Sequence, residues 1–128
     1  MDTQELYDRG EKLRRQIFGN EAVDRRMNAL GEFGAPLDNM INAHAYGDVW
    51  SRTALPLKTK SLAVLGINAA LNRPAEFRVH VKGALANGCT LDEIREVLLL
   101  VAVYCGLPAS IQAHHIVFEV LNEKPGPA

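Results

Sequence analysis

Little in this sequence is aromatic: Phe, Trp and Tyr make up 6% of its 128 residues, while hydrophobic residues as a whole make up 48%. The apolar content therefore comes mainly from Ala, Val, Leu and Ile. That much aliphatic surface is hard to cover within one copy of a small domain. Packing between subunits is expected, since obligate interfaces resemble a domain core cut in half. Long apolar runs are missing too. None reaches the roughly 18–20 residues a bilayer span requires, so no membrane segment is expected. Met1–Arg15 is charged throughout and lacks the apolar stretch of a secretory signal. The net charge is -1 and Lys and Arg are dispersed, so there is no basic stripe to suit a nucleic acid. Only two cysteines occur, Cys89 and Cys105, 16 residues apart. They make neither a Cys-x-x-Cys pair nor a zinc spacing, and reduced thiols in the cytoplasm are the simplest account. No His-x-x-x-His pair with carboxylates appears, so no metal site is expected.

Internal repeats and alternating Val, Ile and Thr are also absent, which argues against strands. What remains reads as helix. The first spans Gln4–Phe18, stopped by Gly19 and Asn20, and the second Glu21–Leu30, ended by the stretch from Gly31 to Gly34. Pro36 suits a first helical position; that helix is expected to reach Tyr46, with Gly47 ending it and Asp48–Leu57 forming a loop. An apolar helix follows over Lys58–Leu71, then a break at Asn72-Arg73-Pro74 and a helix to Asn87. Gly88 is placed to supply a left-handed cap. Thr90-Leu91-Asp92-Glu93 is a capping box. Behind it Ile94, Val97, Leu98 and Val101 mark a buried face. Gly106-Leu107-Pro108 interrupts the pattern, Ala109–Leu121 is the last helix, and Pro125–Ala128 is a frayed tail. The fold class is all-α: one domain over residues 1–128, a bundle of about six or seven helices with short connections.

Chemistry is sought first among the four histidines, because only His ordinarily titrates near neutrality. His80 shares the apolar stripe of Phe77, Val81 and Ala84, where it is either a core histidine satisfied by one hydrogen bond or an acid–base group. His114 follows the stripe of Ile111, Phe118 and Leu121 and is expected to point inward or into an interface. His115 lies about 100° around that helix, on a more polar side with Glu119 and Asn122. His44 follows a polar stretch. Glu93 caps its helix or serves as a general acid or base. Cys105 sits at a helix C-terminal end, where the dipole disfavours a thiolate, and on its surroundings reads as a small inert hydrophobe. Trp50 and Arg52 form either a packed Trp beside a surface Arg, or a carboxylate clamp.

Four stretches together resemble the carboxymuconolactone decarboxylase family. They are Tyr46-Gly47-Asp48-Val49-Trp50-Ser51-Arg52, the apolar Leu57–Leu71, Glu76-Phe77-Arg78-Val79-His80-Val81, and Gly88 through Pro108 with its Gly-x-Thr-x-x-Glu-Ile and Tyr-Cys-Gly-x-Pro. The likeness runs from about Leu6 to Leu121 and is nearest the 4-carboxymuconolactone decarboxylase branch. It implies an alkylhydroperoxidase D-like helical fold assembled as a homo-oligomer, a trimer or a hexamer. It also implies decarboxylation of 4-carboxymuconolactone to β-ketoadipate enol-lactone in aromatic catabolism, a step of the β-ketoadipate pathway that needs no cofactor. Its implied site comprises His80 and Glu93 as catalytic residues, with Trp50, Arg52, Cys105 and His115 contacting the small lactone substrate. Two positions depart from the family pattern. Tyr46 stands where Trp is more usual, and His114 beside His115 stands where an aromatic or apolar residue is expected. The related peroxidases of this fold carry Cys-x-x-Cys with a Glu twelve positions before the first Cys. Glu93 and Cys105 keep that interval, but Pro108 occupies the place of the second thiol, leaving Cys89 as the one alternative. Another lactone or β-keto acid enzyme, or a non-catalytic helical oligomer, are the remaining readings.

Overall fold

A computed structural model of the chain describes residues 1–123, and these form helices and no strands. The Pro125–Ala128 tail lies outside the described residues. The chain divides into two compact units, the first covering Met1–Pro56 and the second beginning at Leu57.

In the first unit, α1 (Thr3–Phe18) opens with a capping box that the residue pattern had not flagged. Glu5 N–H donates to Asp2 Oδ1 at 2.8 Å and Asp2 N–H to Glu5 Oε2 at 3.2 Å. Gly19, at φ 87°, turns the chain straight into α2 (Asn20–Leu30). Arg15 spans the turn by pairing with Glu11 at 3.1 Å and Asp24 at 2.8 Å. Pro36 lies in the first turn of α3 (Ala35–Met40), as expected. The helix does not stop at Gly47, however. It passes without a break into a π-helical segment, Ile41–Trp50, and only Ser51–Pro56 is irregular.

The reason is steric. Gly47 lacks the positive φ of a cap. It is buried against α1, where a Cβ would fall 2.1 Å from the Leu6 carbonyl oxygen, and Gly10 would place its own Cβ 1.5 Å from the Asn42 oxygen. Both glycines are therefore used for a backbone-to-backbone crossing. The wider winding of the segment carries Tyr46 and Trp50 into one stack, with ring centroids 5.6 Å apart and planes 15° from parallel, and Phe18 meets Tyr46 edge-on. Beneath them Arg14, only 5% exposed, donates to Asn42 Oδ1 at 3.1 Å and faces Asp38 at 3.7 Å. A buried charge needs such partners.

The second unit is a four-helix arrangement of α4 (Leu57–Ala70), α5 (Pro74–Ala86), α6 (Leu91–Cys105) and α7 (Leu107–Leu121). α4 packs against each of the other three, α5 also against α7, and α6 also against α7. Leu65, Phe77, Val81, Ile94, Leu98 and Ile116 centre the core. Gly88, at φ 89°, closes α5 as expected. The N–H groups of Cys89 and Gly88 return to the Ala84 and Leu85 carbonyls at 2.9 and 3.1 Å, which is a Schellman motif.

The Thr90–Glu93 capping box forms as read, with Glu93 N–H donating to Thr90 Oγ1 at 3.1 Å and Thr90 N–H to Glu93 Oε1 at 2.9 Å. The expected interruption at Gly106-Leu107-Pro108 shrinks to Gly106 alone. Pro108 sits inside the first turn of α7, where its missing N–H costs nothing. The inward face of α7 is Ser110, Ala113 and Ile116. Ile111, His114, Phe118 and Leu121 all point away from this core, so the inward placement of His114 is corrected.

Candidate active site

His80 is carried on α5 one step from Phe77, Val81 and Ala84, which are 1%, 0% and 0% exposed. It is itself partly buried, at the edge of the core stripe on which the spacing placed it.

Glu93 stands in the first turn of α6. Besides closing the capping box, its Oε1 lies 2.9 Å from Lys58 Nζ of α4. The Thr90 backbone N–H, and then Lys58, hold its carboxyl below the usual carboxylate range. The capping reading of Glu93 is met, and the same carboxylate also anchors a lysine. Cys89 is beside it, with Sγ 3.4 Å from the Lys58 carbonyl oxygen. Burial, and then the Glu93 charge, push the Cys89 thiol up, which makes it a poor nucleophile.

The direction of the Glu93 shift gives a testable pH dependence. A carboxyl depressed on folding stabilises the native state above its unfolded pKa of about 4.3. That stabilisation is lost as pH falls through the lower folded value. Glu93→Gln is expected to be less stable than the parent at pH 7 and to lose less stability on acidification through and below that window. Urea midpoints measured from pH 7 down to pH 3 would check it. Parallel curves for the two proteins would show that Glu93 is not held as described.

Cys105 ends α6. It is exposed, and it lines an apolar groove with Leu62, Gly66, Val97, Val101 and Tyr104. It is the last of the fifteen residues of α6, and Cys89 precedes the start of that helix. At ~1.5 Å per residue the helix spans roughly 20 Å, so the two thiols of one chain cannot pair. The same helix puts Glu93 and Cys105 at opposite ends, so they do not meet in one small pocket.

His115 stands elsewhere, in a groove of about 670 Å³ between α5 and α7. Pro74, Pro108, Ile111 and Ile116 give the apolar walls; Arg78, Gln112, His115 and Glu119 give the polar groups. Arg78 pairs with Glu119 and, at 3.1 Å, with Glu123, and Lys82 joins Glu123 at 3.0 Å. Lys82 and Arg78 together hold the Glu123 carboxyl below its usual range. Arg78, Lys58 and Gln112 were not singled out from the sequence. The available signal was complementary charge at a spacing of four, Arg78/Lys82 on α5 and Glu119/Glu123 at the end of α7 and just past it.

Trp50 and Arg52 belong to the first unit. Trp50 is 9% exposed and stacked on Tyr46, which matches the packed reading. Arg52 is exposed, and its Nε and a terminal nitrogen reach Asp48 Oδ1 at 3.2 and 3.0 Å.

A sequence model of the carboxymuconolactone decarboxylase family matches residues 35–119, running from α3 almost to the end of α7. The chain belongs to this family. It is 37% identical to a 4-carboxymuconolactone decarboxylase of Acinetobacter baylyi over 123 residues, 96% of this chain and 92% of that protein. It is 36% identical to a nitrosuccinic acid decarboxylase of Metarhizium robertsii over 92% of this chain and 82% of the relative. Of the residues expected from the sequence, His80, Glu93, Cys105 and His115 lie in the second unit and Trp50 and Arg52 in the first. No cluster of three or more His, Cys, Asp or Glu suited to a metal occurs among the described residues. No helix among them is long and apolar enough to cross a membrane.

Proposed function

We propose that this protein, as one domain over residues 1–128, decarboxylates 4-carboxymuconolactone to the β-ketoadipate enol-lactone, without a cofactor, in the cytoplasmic breakdown of aromatic compounds. The observation that carries this reading is the identity with the Acinetobacter enzyme across nearly the whole length of both chains.

The chemistry suits a protein with no more than side chains to offer. The departing carboxylate is on the ring carbon next to a double bond conjugated with the lactone carbonyl. When that C–C bond breaks, carbon dioxide leaves and the electron pair spreads to the carbonyl oxygen as a dienolate. A proton added at the α carbon completes the product. The protein must orient an anionic substrate, stabilise one oxyanion and deliver one proton. His80 is assigned the dienolate contact or the proton. Glu93, ionised at neutral pH by its Thr90 and Lys58 contacts, suits orienting a donor better than giving a proton. Arg52 is assigned a substrate carboxylate, with Trp50 and His115 as further contacts; Cys105, which is at the far end of α6 from Glu93, is assigned a contact made from a second copy of the chain.

A second substrate has its own support in the Metarhizium relative. A nitro group can accept the electrons of a departing carboxylate as a lactone carbonyl does, so one site could serve both acids. Assembly as a trimer or hexamer is part of the proposal. Val103, Tyr104, Leu107 and Phe118 are 77%, 83%, 66% and 67% exposed in the single chain, and a patch of that kind normally marks an interface.

The test is turnover of 4-carboxymuconolactone generated in situ, and separately of nitrosuccinate, with and without chelator and with dithiothreitol. Chelator-insensitive loss of the lactone with release of carbon dioxide is the expected result. Turnover of nitrosuccinate alone would move the assignment to the second substrate. Turnover of neither would leave the family membership in place and favour another lactone or β-keto acid enzyme, or a non-catalytic oligomer.

A further inference from the structure

The groove between α5 and α7 contains an arginine whose position is determined before any ligand arrives. We propose that Arg78 is the carboxylate-binding and specificity-determining residue of this groove, with His115 and Gln112 as neighbouring donors. The ligand class is a small dicarboxylic acid with an apolar body; its identity as the substrate rests on the decarboxylase reading above.

The argument starts from donor geometry. A guanidinium has five N–H donors in a rigid plane. Glu119 engages one terminal nitrogen of Arg78 and Glu123 the other. Each carboxylate needs a single N–H, so Nε and the second hydrogens of the terminal nitrogens remain available. Glu119 comes from α7, Glu123 from just beyond its end, and the arginine from α5, so the fork is clamped across the groove and not left free to sample rotamers. Preorganisation of this kind lowers the cost of binding.

Charge points the same way. Arg78 and Lys82 balance Glu119 and Glu123, with Lys82 drawn onto Glu123. The cluster is neutral as a whole, so an entering carboxylate meets a fixed guanidinium without net repulsion. Exposed ion pairs alone contribute little to stability, which leaves the network's position at the groove unexplained by folding. The opposing walls are Pro74, Pro108, Ile111 and Ile116, apolar and suited to the body of a small ring. Groove size falls within the range typical of small-molecule sites.

Two readouts test the proposal on the full-length protein. The first is equilibrium binding of succinate, a dicarboxylate that cannot be turned over, followed at the Arg78 Nε–H signal by NMR. The second is the KM-against-kcat split for the lactone. Arg78→Gln is expected to weaken succinate binding and raise KM by at least about tenfold each, the loss of a charge-assisted hydrogen-bond pair, while kcat falls far less. Arg78→Lys should recover only part of either. Lys82→Gln breaks the same ion-pair network outside the groove lining and leaves it net negative, so it should weaken both values several-fold less than Arg78→Gln does, and equal losses in the two variants would reduce Arg78 to a purely electrostatic or structural role and overturn the proposal. If Arg78→Gln binds succinate and lactone as the parent does, or if the parent binds neither, the proposal is overturned. If the parent fails to turn over the lactone yet binds succinate through Arg78, the decarboxylase reading falls and the carboxylate site stands.

Discussion

His80→Asn is expected to fold like the parent and to lose at least about a hundredfold in kcat on 4-carboxymuconolactone, the usual worth of a positioned acid–base group. The argument rests on where α5 holds this side chain. Its neighbours Phe77, Val81 and Ala84 are packed solid, so the backbone at position 80 is fixed by the core. The imidazole itself is only partly buried. That combination gives a rigidly mounted group with access to a ligand, which is what proton delivery to a dienolate requires. Asn matches the size of the imidazole closely and retains hydrogen-bonding capacity but cannot shuttle a proton at neutral pH, so loss of rate with an unchanged melting curve would isolate the chemical role. The pH–rate profile gives a second readout: a limb present in the parent should be missing from the residual activity of the variant. Turnover within about threefold of the parent would remove His80 from the mechanism. Glu93→Gln would then become the informative variant, because its carboxylate is the remaining assigned catalytic group.

What could be read from the residues alone divides along one physical line. Most features settled within a few residues were legible, the equally local Asp2–Glu5 capping box being the exception. Thr90 and Glu93 satisfy one another three positions apart, and Gly88 closes α5 through its nearest carbonyls. Membership in an all-helical family was legible for the same reason, since each motif is a local run in a fixed order. Features that depend on what lies across space were not. Gly47 looks like a helix stop until α1 is placed against it. α7 carries two apolar stripes, Ile111/His114/Phe118/Leu121 and Ala113/Ile116/Val117/Val120, both with helical spacing. Periodicity marks both as buried somewhere but cannot say which faces the core of its own chain. Arg78 and Glu119 are 41 residues apart, so neither one indicates the other. The groove was invisible for that reason; helical spacing marked His115 only as polar, and its substrate contact was expected from the family resemblance alone. The stripe Ile111/His114/Phe118/Leu121 is exposed in the single chain, so the inward alternative for His114 is removed and the interface alternative stands with the assembly proposed above.

Gly10→Ala is expected to destabilise the protein by more than about 3 kcal/mol, at or beyond the upper end for overpacking. The added methyl would meet the Asn42 carbonyl carbon at 2.6 Å and its oxygen at 1.5 Å. Those atoms are backbone, so no rotamer change relieves the clash; α1 must move off the π-helical segment. Moving it disturbs more than packing. Arg14, one turn further along α1, would be drawn from Asn42 and Asp38, leaving charged and amide groups buried with poorer partners. The same displacement should loosen the segment that presents Trp50. Trp50 is the protein's single tryptophan and is buried against Tyr46, so its emission reports on this unit directly. The variant should therefore show a red-shifted native spectrum as well as a lower urea midpoint. Gly66→Ala supplies the contrast. Its Cβ would find Val97 Cγ1 at an ordinary 3.6 Å, in the interior of α4, where exchanging Gly for Ala stabilises by roughly 0.5–1 kcal/mol. Opposite signs for two Gly→Ala changes in helices would establish that Gly10 is there to let two backbones touch. A Gly10→Ala protein within about 1 kcal/mol of the parent, with unshifted emission, would mean that α1 and the π-helical segment do not cross this closely.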